Sequence, residues 1–245
     1  MNDSLNYNIE EIDIDGSVME VFMFPPAGDG PSPALILAQH IPVGHTGLEN
    51  DIFKLVTAQR FANAGFHVAV PFIFHWWPKD GDMMEKANAS RDELTLKDLN
   101  ATFELLTRRA DVLRSKIAIV GHCWGGRVAW LGACHIQKLA ACAIFYGGRI
   151  KLAMGNEYPA PINLASNINC NVIGFFGNDD QNPSVGDVND YEAALTQSNV
   201  THTFYRYDNV GHAFQNFPSP ERYNPRASED AWSKVVLFLK KVLNN

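Results

Sequence analysis

Cysteine is scarce in this chain: four in 245 residues, and Cys123, Cys134, Cys142 and Cys170 show no CxxC pairing. That excludes a disulfide framework and points to reduced, mostly buried thiols. Long apolar runs are missing, so no membrane-spanning helix is expected. Positive charge is in deficit. Twenty Lys and Arg against 27 Asp and Glu leave a net charge of −7, which argues against general binding to nucleic acid or an anionic membrane. Met1-Asn2-Asp3-Ser4-Leu5-Asn6 carries neither a basic nor an apolar stretch, so no secretory signal is expected, and the cytoplasm is the expected location. Repeats, low-complexity tracts and long linkers are absent too, so residues 1–245 read as a single domain.

What is present is an alternation of short apolar runs with helix-like stretches. Residues 9–14 and 18–24 alternate apolar and polar around Asp15-Gly16, as an antiparallel hairpin does. Residues 34–38, 66–70, 116–120, 139–146, 172–176 and 203–207 read as further strands, several without any polar interruption. Between them, Thr46 and Glu49 have capping-box spacing ahead of a stripe of Ile52, Leu55, Val56 and Ala62. Ser90 and Glu93 repeat that spacing ahead of Leu96, Leu99, Phe103 and Leu106. Residues 191–196 sit in a helix, and a final helix carries Trp232, Val235, Val236 and Leu239. Residues 71–89 are aromatic and irregular, and 149–168 form an excursion with two prolines. The alternation predicts an α/β fold, with a mainly parallel sheet flanked by helices on both faces.

The most informative stretch is Val120-Gly121-His122-Cys123-Trp124-Gly125-Gly126, set between the 116–120 strand and a helix-like segment at 127–134. Strand, Gly-x-Cys-x-Gly, helix is the pattern of a nucleophile elbow, with Cys in the place of the usual Ser. Glycines two residues to either side relieve the crowding of a sharp chain reversal. A helix starting at the sulfur favours a thiolate and a developing oxyanion. A buried structural cysteine in an ordinary strand-to-helix turn shares this pattern. The surroundings separate the two readings. Ligands of parallel α/β sheets bind beyond the carboxyl ends of the strands. His40, Cys123, Tyr146, Asp180 and His212 all fall just past expected strand ends.

A cysteine nucleophile needs a base, and the base an orienting acid. His212 after the last strand supplies the base, and Asp179 or Asp180 after the preceding strand supplies the acid; spacing alone leaves these two open. Oxyanion donors are expected from the backbone N–H groups of Trp124 and Ile41. Taken together, Gly-His-Cys-Trp-Gly-Gly, Gly177-Asn178-Asp179-Asp180-Gln181-Asn182-Pro183 and Gly211-His212-Ala213-Phe214 resemble the dienelactone hydrolase family, as does the order of elements over nearly the whole chain. The resemblance implies an α/β-hydrolase fold and a triad of Cys123, Asp180 and His212, the family's Gly-x-x-Asp pattern selecting Asp180. It implies hydrolysis of lactones or activated carboxylic esters through a thioester, with no cofactor and no metal. The implied partner is a small-molecule ester or lactone, with no nucleic acid or membrane, for a monomer or small homo-oligomer. An acyltransferase using the same triad, or a non-catalytic ligand-binding member of the fold, would look alike.

The chain departs from the family pattern at three places. His40 stands where well-studied members carry Glu, Ala213 where they carry Ser, and Asn216 where they carry an Arg that helps to bind the dienelactone carboxylate. A Glu beside the sulfur would repel a thiolate, whereas a His would not, so more thiolate character is expected at Cys123. His40, Tyr146, Arg149 and Phe214 are the candidates for substrate contact; Arg149 is equally suited to a surface salt bridge. The aromatic run 72–77 suits core and pocket wall together. His40, His45 and Glu49 lack metal-ligand spacing and read as polar loop residues. His122 is expected to pack rather than to react.

Overall fold

A computed structural model describes residues 5–28, 30–41 and 47–243. Eight strands form one sheet in the order β1-β2-β4-β3-β5-β6-β7-β8, with β1 Asn8–Ile14, β2 Ser17–Phe24, β3 Ser32–Ala38, β4 His67–Pro71, β5 Val112–His122, β6 Ala141–Phe145, β7 Asn171–Gly177 and β8 His202–Tyr207. β1 and β2 form the expected hairpin, with Ile14 opposite Ser17 and positive φ at both Asp15 and Gly16, as a two-residue primed turn demands. β2 joins β4 antiparallel, and every pairing from β4 to β8 is parallel. All five residues of β4 and of β6 are buried, which requires cover on both faces of the sheet.

The helices are α1 Ile52–Asn63, α2 Met83–Ala89, α3 Asp92–Arg108, α4 Trp124–His135, α5 Val185–Gln197 and α6 Pro225–Leu243. α1 and α6 meet through the rings of Phe61 and Trp232, 4.6 Å apart, and the Arg60 guanidinium lies 4.0 Å over the same indole. α3 and α4 pack on each other where Gly132 faces Leu99. A bidentate, buried ion pair joins them: Arg127 donates to both carboxylate oxygens of Asp92 at 2.5 and 2.9 Å, and to the Arg149 and Leu152 carbonyls.

Three local expectations are corrected. Thr46 lies outside the described residues, and α1 is capped instead by Asp51, whose side chain accepts from the Lys54 N–H. Ser90 does not cap α3; its hydroxyl donates to the Lys86 carbonyl at 2.9 Å and so closes α2, a helix inside the segment read as irregular. The aromatic stretch that precedes α2 is held by Asp98 of α3. That buried carboxylate accepts from the Trp76 indole and lies 3.0 Å from His75 Nε2, while His75 Nδ1 meets the Ser17 hydroxyl at 2.8 Å. The side chains of His75 and Asp98 are almost wholly buried, and this Ser–His–Asp chain clamps β2, the 72–77 segment and α3 together.

Candidate active site

Cys123 stands between β5 and α4 with φ 55° and ψ −121°, the strained conformation of an elbow. Its neighbours explain the two glycines. A Cβ on Gly121 would lie 1.8 Å from the Gly125 carbonyl oxygen, and one on Gly125 would lie 2.6 Å from the Ala38 carbonyl oxygen. The reversal can form only where both side chains are missing. The Cys123 N–H is tied to the Phe145 carbonyl at 3.0 Å, which fixes the sulfur above the ends of β5 and β6.

His212 Nε2 lies 3.0 Å from Cys123 Sγ, and His212 Nδ1 lies 2.8 Å from Asp180 Oδ2. Asp180 is buried, its other oxygen accepting the Asn182 N–H at 2.8 Å, whereas Asp179 is exposed. The turn that carries Asp180 is fastened to the loop that carries His212, because Asp179 N donates to Val210 O and Asn178 N to Tyr207 O. Burial alone would depress the His212 pKa, but its hydrogen bonds to Asp180 and Cys123 outweigh that and lift it to about 10. An imidazole held so strongly in its protonated form is suited to partner a thiolate.

The other three cysteines are buried, and burial pushes the Cys134 and Cys170 thiols up to about 12 and the Cys142 thiol well above its ordinary value. Cys123 alone is accessible.

Two cavities open beside the sulfur, both lined by Ile41, Cys123 and His212. One, of about 120 Å³ and mainly apolar, is lined by Ile41, Met84, Ala87, Trp124, Arg149 and Asn182 along with Cys123 and His212. The other, of about 110 Å³, is lined by His40, Ile41, Phe53, Tyr146, Asn216 and Arg222 around the same pair. Ile41 and Trp124 thus line one cavity with the sulfur, and the Trp124 N–H belongs to the first turn of α4, where backbone donors have no partner within the helix.

The substrate-contact candidates divide. Arg149, exposed and at positive φ, carries its guanidinium 5.6 Å over the Trp124 ring at the rim of the first cavity. Tyr146 is buried with its ring against His212, 5.2 Å away. Phe214 is completely buried between Tyr146 and Tyr207, so it backs the cavity wall and does not line it; this corrects its expected contact with substrate. His122 packs as expected: it stacks on Phe145 at 4.4 Å and meets the Gln215 side chain at 2.9 Å.

His40 lines the second cavity, but its surroundings had no sequence signal. Its Nδ1 lies 3.2 Å from Asp51 Oδ2, and burial together with the charge of Lys54 lowers its pKa to about 3, so the ring is neutral. A neutral His40 carries no charge that would repel or attract a thiolate at Cys123. Lys54, fully buried, donates to the Ala38 carbonyl at 2.9 Å. Asp51 and Lys54 escaped the sequence reading because a helix-start aspartate and a lysine between apolar residues look like ordinary surface groups. Met84 and Ala87 escaped it with α2. His45 lies outside the described residues, and among the described residues no group of three His, Cys, Asp or Glu is placed to hold a metal ion. No helix among them is long and apolar enough to cross a membrane.

Residues 19–243 match the profile of the Dienelactone hydrolase family. The chain is 27% identical over 228 residues to the "Putative carboxymethylenebutenolidase" of Escherichia coli, covering 89% of this chain and 80% of that one. With the protein of the same name from Synechocystis it shares 29% identity over 225 residues, covering 87% and 88% of the two chains. Among solved structures, a "Putative Dienelactone Hydrolase" from Klebsiella pneumoniae superposes with a TM-score of 0.85 at 23% identity, over 97% of this chain and 99% of that one, which speaks for the fold.

Proposed function

This chain belongs to the dienelactone hydrolase family, and from that premise we propose that it hydrolyses small lactones or activated carboxylic esters through a thioester on Cys123. The observation that carries the reading is the unbroken line from Cys123 Sγ through His212 to Asp180, at 3.0 and 2.8 Å, on an accessible sulfur between two cavities.

The Cys123 thiolate attacks the carbonyl carbon, and the carbonyl electron pair moves to oxygen, held by the Ile41 and Trp124 N–H groups. As the C–O bond breaks, the His212 imidazolium gives its Nε2 proton to the leaving alkoxide. In a lactone that alkoxide stays tethered to the acyl group. Neutral His212 then takes a proton from water as the water attacks the thioester, and collapse of the second tetrahedral intermediate returns the thiolate–imidazolium pair. Asp180 holds Nδ1–H throughout and fixes the tautomer. Cavities of about 120 and 110 Å³ favour small acyl and alcohol portions.

A panel of small esters and lactones, assayed with and without added alcohols and thiols, tests this reading. Free acid as the dominant product supports hydrolysis; efficient acyl transfer to the added acceptor would make the protein an acyltransferase; no turnover of any member would favour a binding role. In the same preparation iodoacetamide is expected to modify Cys123 alone, with activity lost in proportion, because burial keeps the other three thiols protonated. Preferential modification of Cys134 or Cys170 with activity intact would refute the assignment.

A further inference from the structure

Behind the elbow lies a cluster of buried groups to which the proposed chemistry gives no role. Lys54 points inward from the first turn of α1, and its ammonium donates to the Ala38 carbonyl at the end of β3. That carbonyl faces the elbow from the other side, since a Cβ on Gly125 would lie 2.6 Å from it. Ala38 O is thus wedged between the Lys54 ammonium and the backbone two residues beyond Cys123. Three residues after Ala38 comes Ile41, which lines both cavities with the sulfur. Asp51, at the cap of α1, holds the Lys54 N–H at 3.0 Å with one oxygen and faces His40 with the other.

We propose that Lys54 is a positioning residue of the active site: its ammonium pins the 38–41 loop that offers the Ile41 N–H, and its charge, moderated by Asp51, stabilises the thiolate and the oxyanion from behind the elbow. This rests on the reading of Cys123 as the nucleophile.

The charges around Lys54 are consistent with such a role. Four groups face it: Asp51 on its own helix, His40 from the loop after β3, His122 at the end of β5, and Cys123 at the elbow. Burial lowers the Lys54 pKa to about 8, against the opposing pull of Asp51 and Cys123, so it is protonated at neutral pH. Burial raises the Asp51 pKa to about 6, so at neutral pH it is the counter-charge. His40 and His122 are both driven neutral, chiefly by burial and then by the Lys54 charge itself. Lys54 is therefore the one cation in this group at neutral pH. Packing alone does not call for it, since an apolar side chain of the same length fills such a space without the desolvation of an ammonium.

The test uses the full chain with Lys54→Met and Asp51→Asn, and with Cys123→Ala as reference. Asn is as good a helix cap as Asp, so the second variant keeps the start of α1 intact. Two quantities are read: the pH profile of iodoacetamide alkylation at Cys123 by mass spectrometry, and kcat and KM on p-nitrophenyl acetate. Lys54→Met is expected to move the alkylation midpoint up by about one pH unit and to lower kcat about tenfold or more, with KM little changed. Asp51→Asn removes the counter-charge, and with the Cys123 thiolate left as the partner that favours the Lys54 ammonium it is expected to move the midpoint down. General damage to the site would move both in one direction, so shifts of the same sign overturn the proposal. A folded Lys54→Met with the wild-type profile and kcat does so too. Should Lys54→Met fail to fold, Asp51→Asn decides alone: an unchanged or raised midpoint is the overturning result. Turnover retained by Cys123→Ala would overturn the nucleophile reading and this inference with it, whereas an inactive Cys123→Ala beside unmoved profiles overturns the role of Lys54 only.

Discussion

Cys123→Ala is expected to lower kcat by on the order of 10⁶, the scale on which a triad loses its chemistry when the nucleophile is deleted. The loss should fall on kcat, because the cavity walls of Ile41, Trp124 and Arg149 are untouched and substrate binding persists. Cys123→Ser is expected to be severely impaired as well, and for a different reason. In the native site the hydrogen bonds of His212 to Asp180 and Cys123 outweigh its burial and lift its pKa to about 10, so the imidazole holds its proton firmly. A serine hydroxyl is far harder to ionise, so the same imidazole must extract its proton during attack. Steady-state kinetics on one activated ester, with folding checked by circular dichroism, decides the matter. A serine variant at wild-type rate would mean that the thiolate character of residue 123 does not matter.

The second large effect separates two adjacent aspartates. Asp180→Asn is expected to reduce kcat by about 10⁴, since an amide in that place stabilises the wrong imidazole tautomer and removes the charge that supports the imidazolium. Asp179→Asn is expected to change kcat by less than about threefold, because an exposed side chain that does not meet the ring is worth little to it. The reverse ranking would place the acid one residue earlier in the turn and contradict the 2.8 Å contact between Asp180 and His212.

Parts of the fold and of the site differ in how plainly the sequence marks them. The parallel strands were readable because burial on both faces leaves unbroken apolar runs, as in the 34–38 stretch of β3. The meeting of Cys123, Asp180 and His212 is readable because parallel strands deliver their following loops to one edge. β5 proved longer than its apolar stretch, starting at Val112, since 113–116 are not fully buried and carry no apolar signature. Capping-box spacing does not mark the start of α1 or of α3. At α3 the Ser90 hydroxyl is committed to the Lys86 carbonyl. At α1 Asp51, five residues beyond Thr46, takes the cap. The cluster of His40, Asp51 and Lys54 left no trace in periodicity, because polar residues buried on a helix read as its solvent face until a tertiary neighbour is known. Asp98, at the centre of the clamp on the aromatic segment, is the same case on α3.

Whether an acyl group passes through Cys123 decides the proposed chemistry. Wild type mixed with an activated ester, quenched in acid within the first turnovers and digested, provides the direct measurement. The peptide containing Cys123 is expected to gain the mass of the acyl group, neutral hydroxylamine to remove it, and Cys123→Ala to show neither the adduct nor turnover. Turnover at the wild-type rate by Cys123→Ala, or a stable acyl group on any other residue, would contradict the proposed chemistry.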